Sequence, residues 1–126
     1  FVGKDAKIGT IGWCFGGGWS LQASIMLSKQ GNACVMYYGI IENTPETFAE
    51  LYAPVLGIFA EKDGWVNPEV YGNLEKNIKA AGKNITVKSF DADHAFANPS
   101  NAKFDEAATN EAKNLTIKFF NENLTK

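Results

Sequence analysis

Two stretches of this 126-residue chain, Ala33–Tyr38 (ACVMYY) and Pro54–Ala60 (PVLGIFA), are apolar at nearly every position. A strand with one wet face alternates, so continuous apolar runs bounded by turn residues read as strands covered on both faces, the usual state of parallel strands. Parallel neighbours cannot be joined by a tight turn; the chain between them must cross over, most often as a helix. The remaining segments supply such crossovers. Lys7–Gly12 (KIGTIG) reads as a further buried strand that runs into a sharp glycine-rich turn. Gly17 to about Lys29 reads as a helix with Leu21, Ala23, Ile25, Met26 and Leu27 as its apolar positions and Gly31-Asn32 as its stop. Residues 40–52 are weakly periodic, with Asn43-Thr44-Pro45 as a turn or helix entry. Asn67-Pro68 is a cap followed by proline, opening a helix whose face is Val70, Leu74, Ile78 and Ala81 and which Gly82 ends. Ile85, Val87 and Phe90 mark a strand, and Phe104, Ala108, Ala112, Leu115 and Phe119 step by three and four along a last amphipathic helix. The order predicts an α/β fold, a mostly parallel sheet with helices on both faces, with residues 1–126 forming one domain around one core.

Charge removes several function classes. The formal net charge is -2 and the pI about 5.4, so no basic field draws the chain to nucleic acid or anionic lipid. All 12 basic residues are lysine. Arginine, the side chain best shaped to grip a carboxylate with two hydrogen bonds, is absent. Two cysteines, Cys14 and Cys34, are too few for a disulfide scaffold and too far apart for a C-x-x-C site. No apolar run approaches the length of a membrane span. The chain therefore reads as soluble, with a reducing, cytoplasmic setting as the default. Because it opens on Phe1, a removed leader would instead make the parent secreted or periplasmic.

The chemistry-bearing residues stand at strand ends. Gly12-Trp13-Cys14-Phe15-Gly16 has the form of the G-x-S-x-G elbow with cysteine as its central residue. Such a turn leaves little room at its flanks, so glycines are expected at both. It also places the thiol at a helix N-terminus, which favours thiolate, and aims the Phe15 N–H at a developing oxyanion. Taken alone, G-x-C-x-G is equally the setting of a packing cysteine, as Cys34 is within its apolar strand. Asp63 follows the strand Pro54–Ala60, and His94, the sole histidine, follows the strand ending at Phe90. Nucleophile, acid, histidine is the chain order of α/β-hydrolases. Asp91 and Asp93 are nearer His94 in sequence, but a partner for the far imidazole nitrogen should come from a neighbouring strand tip.

The segments GWCFGG at the elbow, YYG at 37–39, PVLGIFAEKD at 54–63 and DADHAFA at 91–97 together resemble the dienelactone hydrolases over nearly the whole chain. The resemblance implies the later half of an α/β-hydrolase, a Cys-His-Asp triad at Cys14, His94 and Asp63, and a thiol-ester intermediate on Cys14. Members of the family carry further strands before the elbow, with the second oxyanion amide. Those that open dienelactone hold its carboxylate with arginines, one shortly after the catalytic histidine. Asn98 occupies that place here, which implies a small ester or lactone with an uncharged or weakly anionic acyl part.

Trp13, Phe15, Tyr38, Trp65 and Phe96 are candidate pocket walls or, equally, core residues. No metal or organic cofactor is expected of a single histidine and scattered carboxylates. The expected partners are the substrate and a cover for the open sheet edge, either an amino-terminal half or a second copy. Two other readings stay open: a catalytically silent associating module, and a thiol or peroxide sensor that uses Cys14 without Asp63.

Overall fold

The computed structural model describes residues 5–125. Its sheet has four strands in the order β1 (Ile8–Trp13), β2 (Gly31–Tyr37), β3 (Val55–Ala60) and β4 (Ile85–Phe90), and every neighbouring pair is parallel. The two central strands are the two continuous apolar runs. All six residues of β3 are buried, as are all of β2 except Asn32. The crossovers are α1 (Phe15–Leu27) between β1 and β2 and α2 (Pro68–Ala80) between β3 and β4, while α3 (Glu106–Leu124) follows β4. Leu21 of α1 and Leu74 and Ile78 of α2 pack with Met36 and Phe59 on one face; Ala108 and Ala112 of α3 pack with Val35, Leu56 and Ile58 on the other. Among the described residues, no helix is long and apolar enough to cross a membrane.

Local chemistry accounts for the element ends. The Asn67 side chain accepts from the Val70 N–H at 3.0 Å with Pro68 in the first turn, and Gly82 leaves α2 at φ 76°. Asp105 caps α3 by accepting from Ala108 N–H at 2.9 Å. The weakly periodic segment holds a 3₁₀ turn, Pro45–Phe48, that buries Phe48.

Four expectations are corrected. β1 is not buried: it is an edge strand, and Ile11 and Trp13 are 41% and 47% exposed. Of the apolar positions anticipated for α1, Leu21 is buried and Ile25 partly so, but the rest of its inner face is not apolar. Its inner residues are Gly17, Gly18, Ser20, Leu21 and Ser24, whereas Met26 is 85% exposed. The reason is a hydroxyl network between α1 and the sheet. Thr10 Oγ1 lies 2.8 Å from Ser24 Oγ, and Ser20 Oγ is bonded to Thr10 Oγ1 at 2.9 Å and to the Val35 carbonyl at 3.0 Å. Each group would cost about 1–3 kcal/mol if buried unpaired; here all are satisfied. Third, α1 ends at Leu27, with Ser28 rather than a glycine taking the positive φ of 52°, and Gly31 already belongs to β2. Fourth, Phe104 precedes α3 rather than starting its buried face.

The turn after β1 is built on close backbone contact. A Cβ on Gly12 would lie 1.9 Å from the Gly16 carbonyl oxygen, and one on Gly39 would lie 2.5 Å from Gly18 N and 2.6 Å from Cys14 O. Gly16 differs from what the motif suggested, since a Cβ there meets nothing within 4 Å. The steric requirement falls on Gly12, Gly17, Gly18 and Gly39 rather than on Gly16. Gly12→Ala is therefore expected to cost at least about 3 kcal/mol or to prevent folding. Gly16→Ala, in a helix, should stay within about 1 kcal/mol of the parent or stabilise it. Urea denaturation of both variants checks this, and similar midpoints for the two would contradict the packing described.

Candidate active site

Each strand end delivers one residue to the same edge of the sheet. Cys14 follows β1, Tyr38 follows β2, Asp63 lies three residues past β3, and His94 lies four past β4. Cys14 sits at φ 57°, ψ -124° as the N-cap of α1, a conformation that L-residues adopt at a cost. Three contacts hold it there: the glycine approach at Gly12, the Cys14 N–H donating to Tyr37 O at 3.1 Å, and the Gly17 N–H donating to Cys14 O at 2.9 Å. The Phe15 N–H belongs to the first turn of α1, where no intrahelical acceptor exists.

Asp63 is 3% exposed, and its carboxylate accepts three hydrogen bonds. Oδ1 takes the Trp65 N–H at 2.8 Å and the Val66 N–H at 2.9 Å, and Oδ2 pairs with His94 Nδ1. To donate to a carboxylate Nδ1 must carry the proton, which leaves the Nε2 lone pair of a neutral imidazole free. The loop bearing His94 is tied on both sides. Lys62 N–H donates to Ala92 O at 3.0 Å, while Asp105 N–H and Thr109 Oγ1 donate to Phe96 O at 2.9 and 3.1 Å. Ala95 takes the positive φ of 63° that turns the chain back between these anchors. Asp91, one of the two rivals closer to His94 in sequence, is exposed and pairs with Lys62 at 3.5 Å.

Cys14 and His94 line one cavity of about 340 Å³ with Phe15, Tyr38, Gly39, Ile40, Trp65 and Val66. The Tyr38 ring lies 5.0 Å from the imidazole, with its backbone at φ 38°. Burial and then the nearby Cys14 push the Tyr38 hydroxyl far above its ordinary range, against a hydrogen bond from the Ala97 backbone. Tyr38 is a neutral wall. For the Cys14 thiol, burial and then the Asp63 charge push the pKa up from its ordinary 9.0. The helix terminus is expected to favour the thiolate; burial and the Asp63 charge act in the opposite direction.

Of the other anticipated walls, Phe15, Tyr38 and Trp65 line the cavity, whereas three anticipated residues do not. Trp13 faces the α3 side of the sheet and stacks on Tyr37 at 5.2 Å. Phe96 is fully buried between Tyr38 and Phe90, with ring centroids 5.5 Å from each. Asn98 is exposed, and its Oδ1 is occupied by the Ser100 N–H at 3.0 Å. Ile40, Val66 and Gly39 were missed in the sequence; the signal for them is their place one or two positions after Tyr38 and three after Asp63. Among the described residues, no three His, Cys, Asp or Glu side chains gather as a metal ion would require.

The family model of the dienelactone hydrolase family matches residues 2–124. Protein usf of Aquifex pyrophilus is 31% identical over 121 residues, covering 94% of this chain and 52% of that protein. Carboxymethylenebutenolidase 1 of Cupriavidus pinatubonensis is 25% identical over 115 residues, covering 90% and 48%. This chain thus spans about half the length of the curated relatives it matches. A dienelactone hydrolase-like promiscuous phosphotriesterase from metagenomic libraries superposes with a TM-score of 0.82 at 20% identity, over 93% of this chain and 52% of that one, which establishes the common α/β-hydrolase fold. With strand tips, elbow and sequence in agreement, the chain belongs to the dienelactone hydrolase family.

Proposed function

We propose that residues 1–126 form a partial α/β-hydrolase domain, from the nucleophile elbow to the last helix, of an enzyme that hydrolyses small esters or lactones. Cys14 is its nucleophile, His94 its base and Asp63 the residue that orients the base. The carrying observation is that Asp63 holds His94 by Nδ1 while His94 and Cys14 line one cavity. In this reading His94 Nε2 takes the Cys14 proton as Sγ attacks the carbonyl carbon. The negative charge that develops on oxygen is met by the Phe15 N–H. Collapse of the adduct breaks the C–O bond, the leaving alkoxide takes the proton from Nε2, and a thiol ester remains on Cys14. His94 then removes a proton from water, which attacks the thiol ester; the C–S bond breaks, the acid is freed, and the Cys14 sulfur takes the proton back from Nε2. The raised thiol pKa fits this order of events, since the proton leaves only when the base and electrophile are both in place.

The cavity supports an uncharged acyl part. Apart from the cysteine and histidine its walls are aromatic, aliphatic or glycine, and no lysine lines it. The Cupriavidus relative is named for a lactone with a carboxymethylene arm. Binding that arm here would need a cation from outside the described walls. The unpaired edge of β1, with exposed Ile11 and Trp13 beside it and Trp19 and Met26 exposed on α1, supports a cover supplied by an amino-terminal half or a second copy.

In the whole protein that carries this chain, Cys14→Ala is expected to lower kcat for 4-nitrophenyl acetate on the order of a thousandfold or more. Asp63→Asn should cost on the order of a hundredfold or more, and Cys34→Ala should retain most of the activity. Equal losses at both cysteines, or an unaffected Asp63→Asn enzyme, would refute the assignment; the latter is also what a simple thiol sensor predicts. A second test reads the thiol itself. Thiolate is the species that iodoacetamide alkylates, so the Cys14 labelling rate should still be climbing as pH passes 9.0. Removing the Asp63 charge in Asp63→Asn should move that profile down, and a parent profile already flat at pH 7 would contradict it.

A further inference from the structure

Two large aromatic rings stand in water at the mouth of the cavity, Phe15 at 75% and Trp65 at 67% exposed. They are not scattered surface residues. They meet edge to face, with centroids 5.8 Å apart and planes at 87°. Both line the cavity that contains Cys14 and His94. Trp65 also lies 6.3 Å from the His94 ring at 34°, and its backbone N–H donates to Oδ1 of the Asp63 carboxylate, whose Oδ2 holds His94. One carboxylate thus anchors both the imidazole and the backbone that carries the indole. Phe15, next to Cys14, begins α1 from the elbow across from it.

The position of His94 decides which part of an ester meets these rings. The leaving oxygen has to stand within hydrogen-bond reach of Nε2 to collect its proton, so the group attached to that oxygen lies near His94, where two rings stand: Tyr38 at 5.0 Å, which is buried, and Trp65 at 6.3 Å, which alone of the two is open at the mouth. We propose that Phe15 and Trp65 form a leaving-group subsite that selects esters whose alcohol part carries a flat, uncharged aromatic ring. This rests on the reading of Cys14 as the nucleophile. In the step concerned, Sγ bonds to the acyl carbon, the C–O bond breaks, and the arylmethyl alkoxide leaves as the alcohol with the proton from His94. A flat ring can lie on the indole face and meet the Phe15 edge, whereas a puckered ring of equal size makes neither contact well. Val66 and Ile40 continue the wall without a charge, so an anionic ring finds no cation there.

Benzyl acetate and cyclohexylmethyl acetate have the same carbon count and alcohols of similar acidity, and they differ in flatness. The whole protein is expected to favour the benzyl ester in kcat/KM by about tenfold, and Trp65→Leu and Phe15→Leu should each bring the ratio toward one. Because both esters are read on the same variant, losses from misfolding or a disturbed oxyanion amide cancel in the ratio. A parent ratio near one, or a ratio retained in both variants, would overturn the subsite while leaving the hydrolase reading intact. Absence of hydrolysis of either ester by folded protein would count against that reading instead. In that case alkylation of Cys14 by benzyl and cyclohexylmethyl chloroacetate, followed by mass spectrometry, still reads the subsite. A preference for the benzyl reagent that is lost in Trp65→Leu supports it, and equal rates overturn it.

Discussion

The missing Cβ at Gly12 is the constraint from which the site follows. Only hydrogen at that position lets the Gly16 carbonyl approach β1 closely enough for a helix to start one residue beyond Cys14. Once α1 starts there, Gly17 and Gly18 are brought against the backbone of residues 37–40, and Gly39 in turn must lack a side chain. This glycine stack locks Cys14 at φ 57° with its thiol on the cavity. It also leaves the next N–H, that of Phe15, without an intrahelical acceptor. A strained backbone is thus maintained by packing that no larger residue at 12 or 39 permits, and the strained residue is the one that carries the thiol.

Asp63 does for the other half of the site what Gly12 does for the elbow. Its two oxygens serve different tasks: Oδ2 holds the imidazole, and Oδ1 shapes the loop through Trp65 and Val66. Buried at 3% exposure, the carboxylate has three donors to offset its lost hydration. After burial, its charge is what pushes the Cys14 thiol pKa up. Base orientation, pocket wall and thiol state are therefore linked through one side chain.

Much of this was legible in the residues. Two unbroken apolar runs announced the central strands, and alternation with helices required parallel crossovers, so the residues after each run had to share one edge of the sheet. Where the reading failed, side-chain direction was at stake. Trp13 adjoins Cys14 in the chain, but pairing in register with Tyr37 turns its ring to the α3 side, away from the thiol. Phe96 lies two residues from His94, yet the turn at Ala95 sends it into the core. On the inner face of α1 hydrophobicity marks only Leu21, because Ser20 and Ser24 are buried through hydrogen bonds with Thr10. β1 was read as buried because a sequence does not state which strand lies at the edge.

The central claim is that Cys14 forms a covalent thiol ester in the course of hydrolysis. The most direct measurement is an acid quench of the whole protein during turnover of 4-nitrophenyl acetate, followed by peptide mapping by mass spectrometry. The account predicts one acetyl group on the peptide containing Cys14, removable by hydroxylamine and absent from Cys14→Ala. Turnover that proceeds with acetyl on Cys34 or a lysine, and never on Cys14, would contradict it.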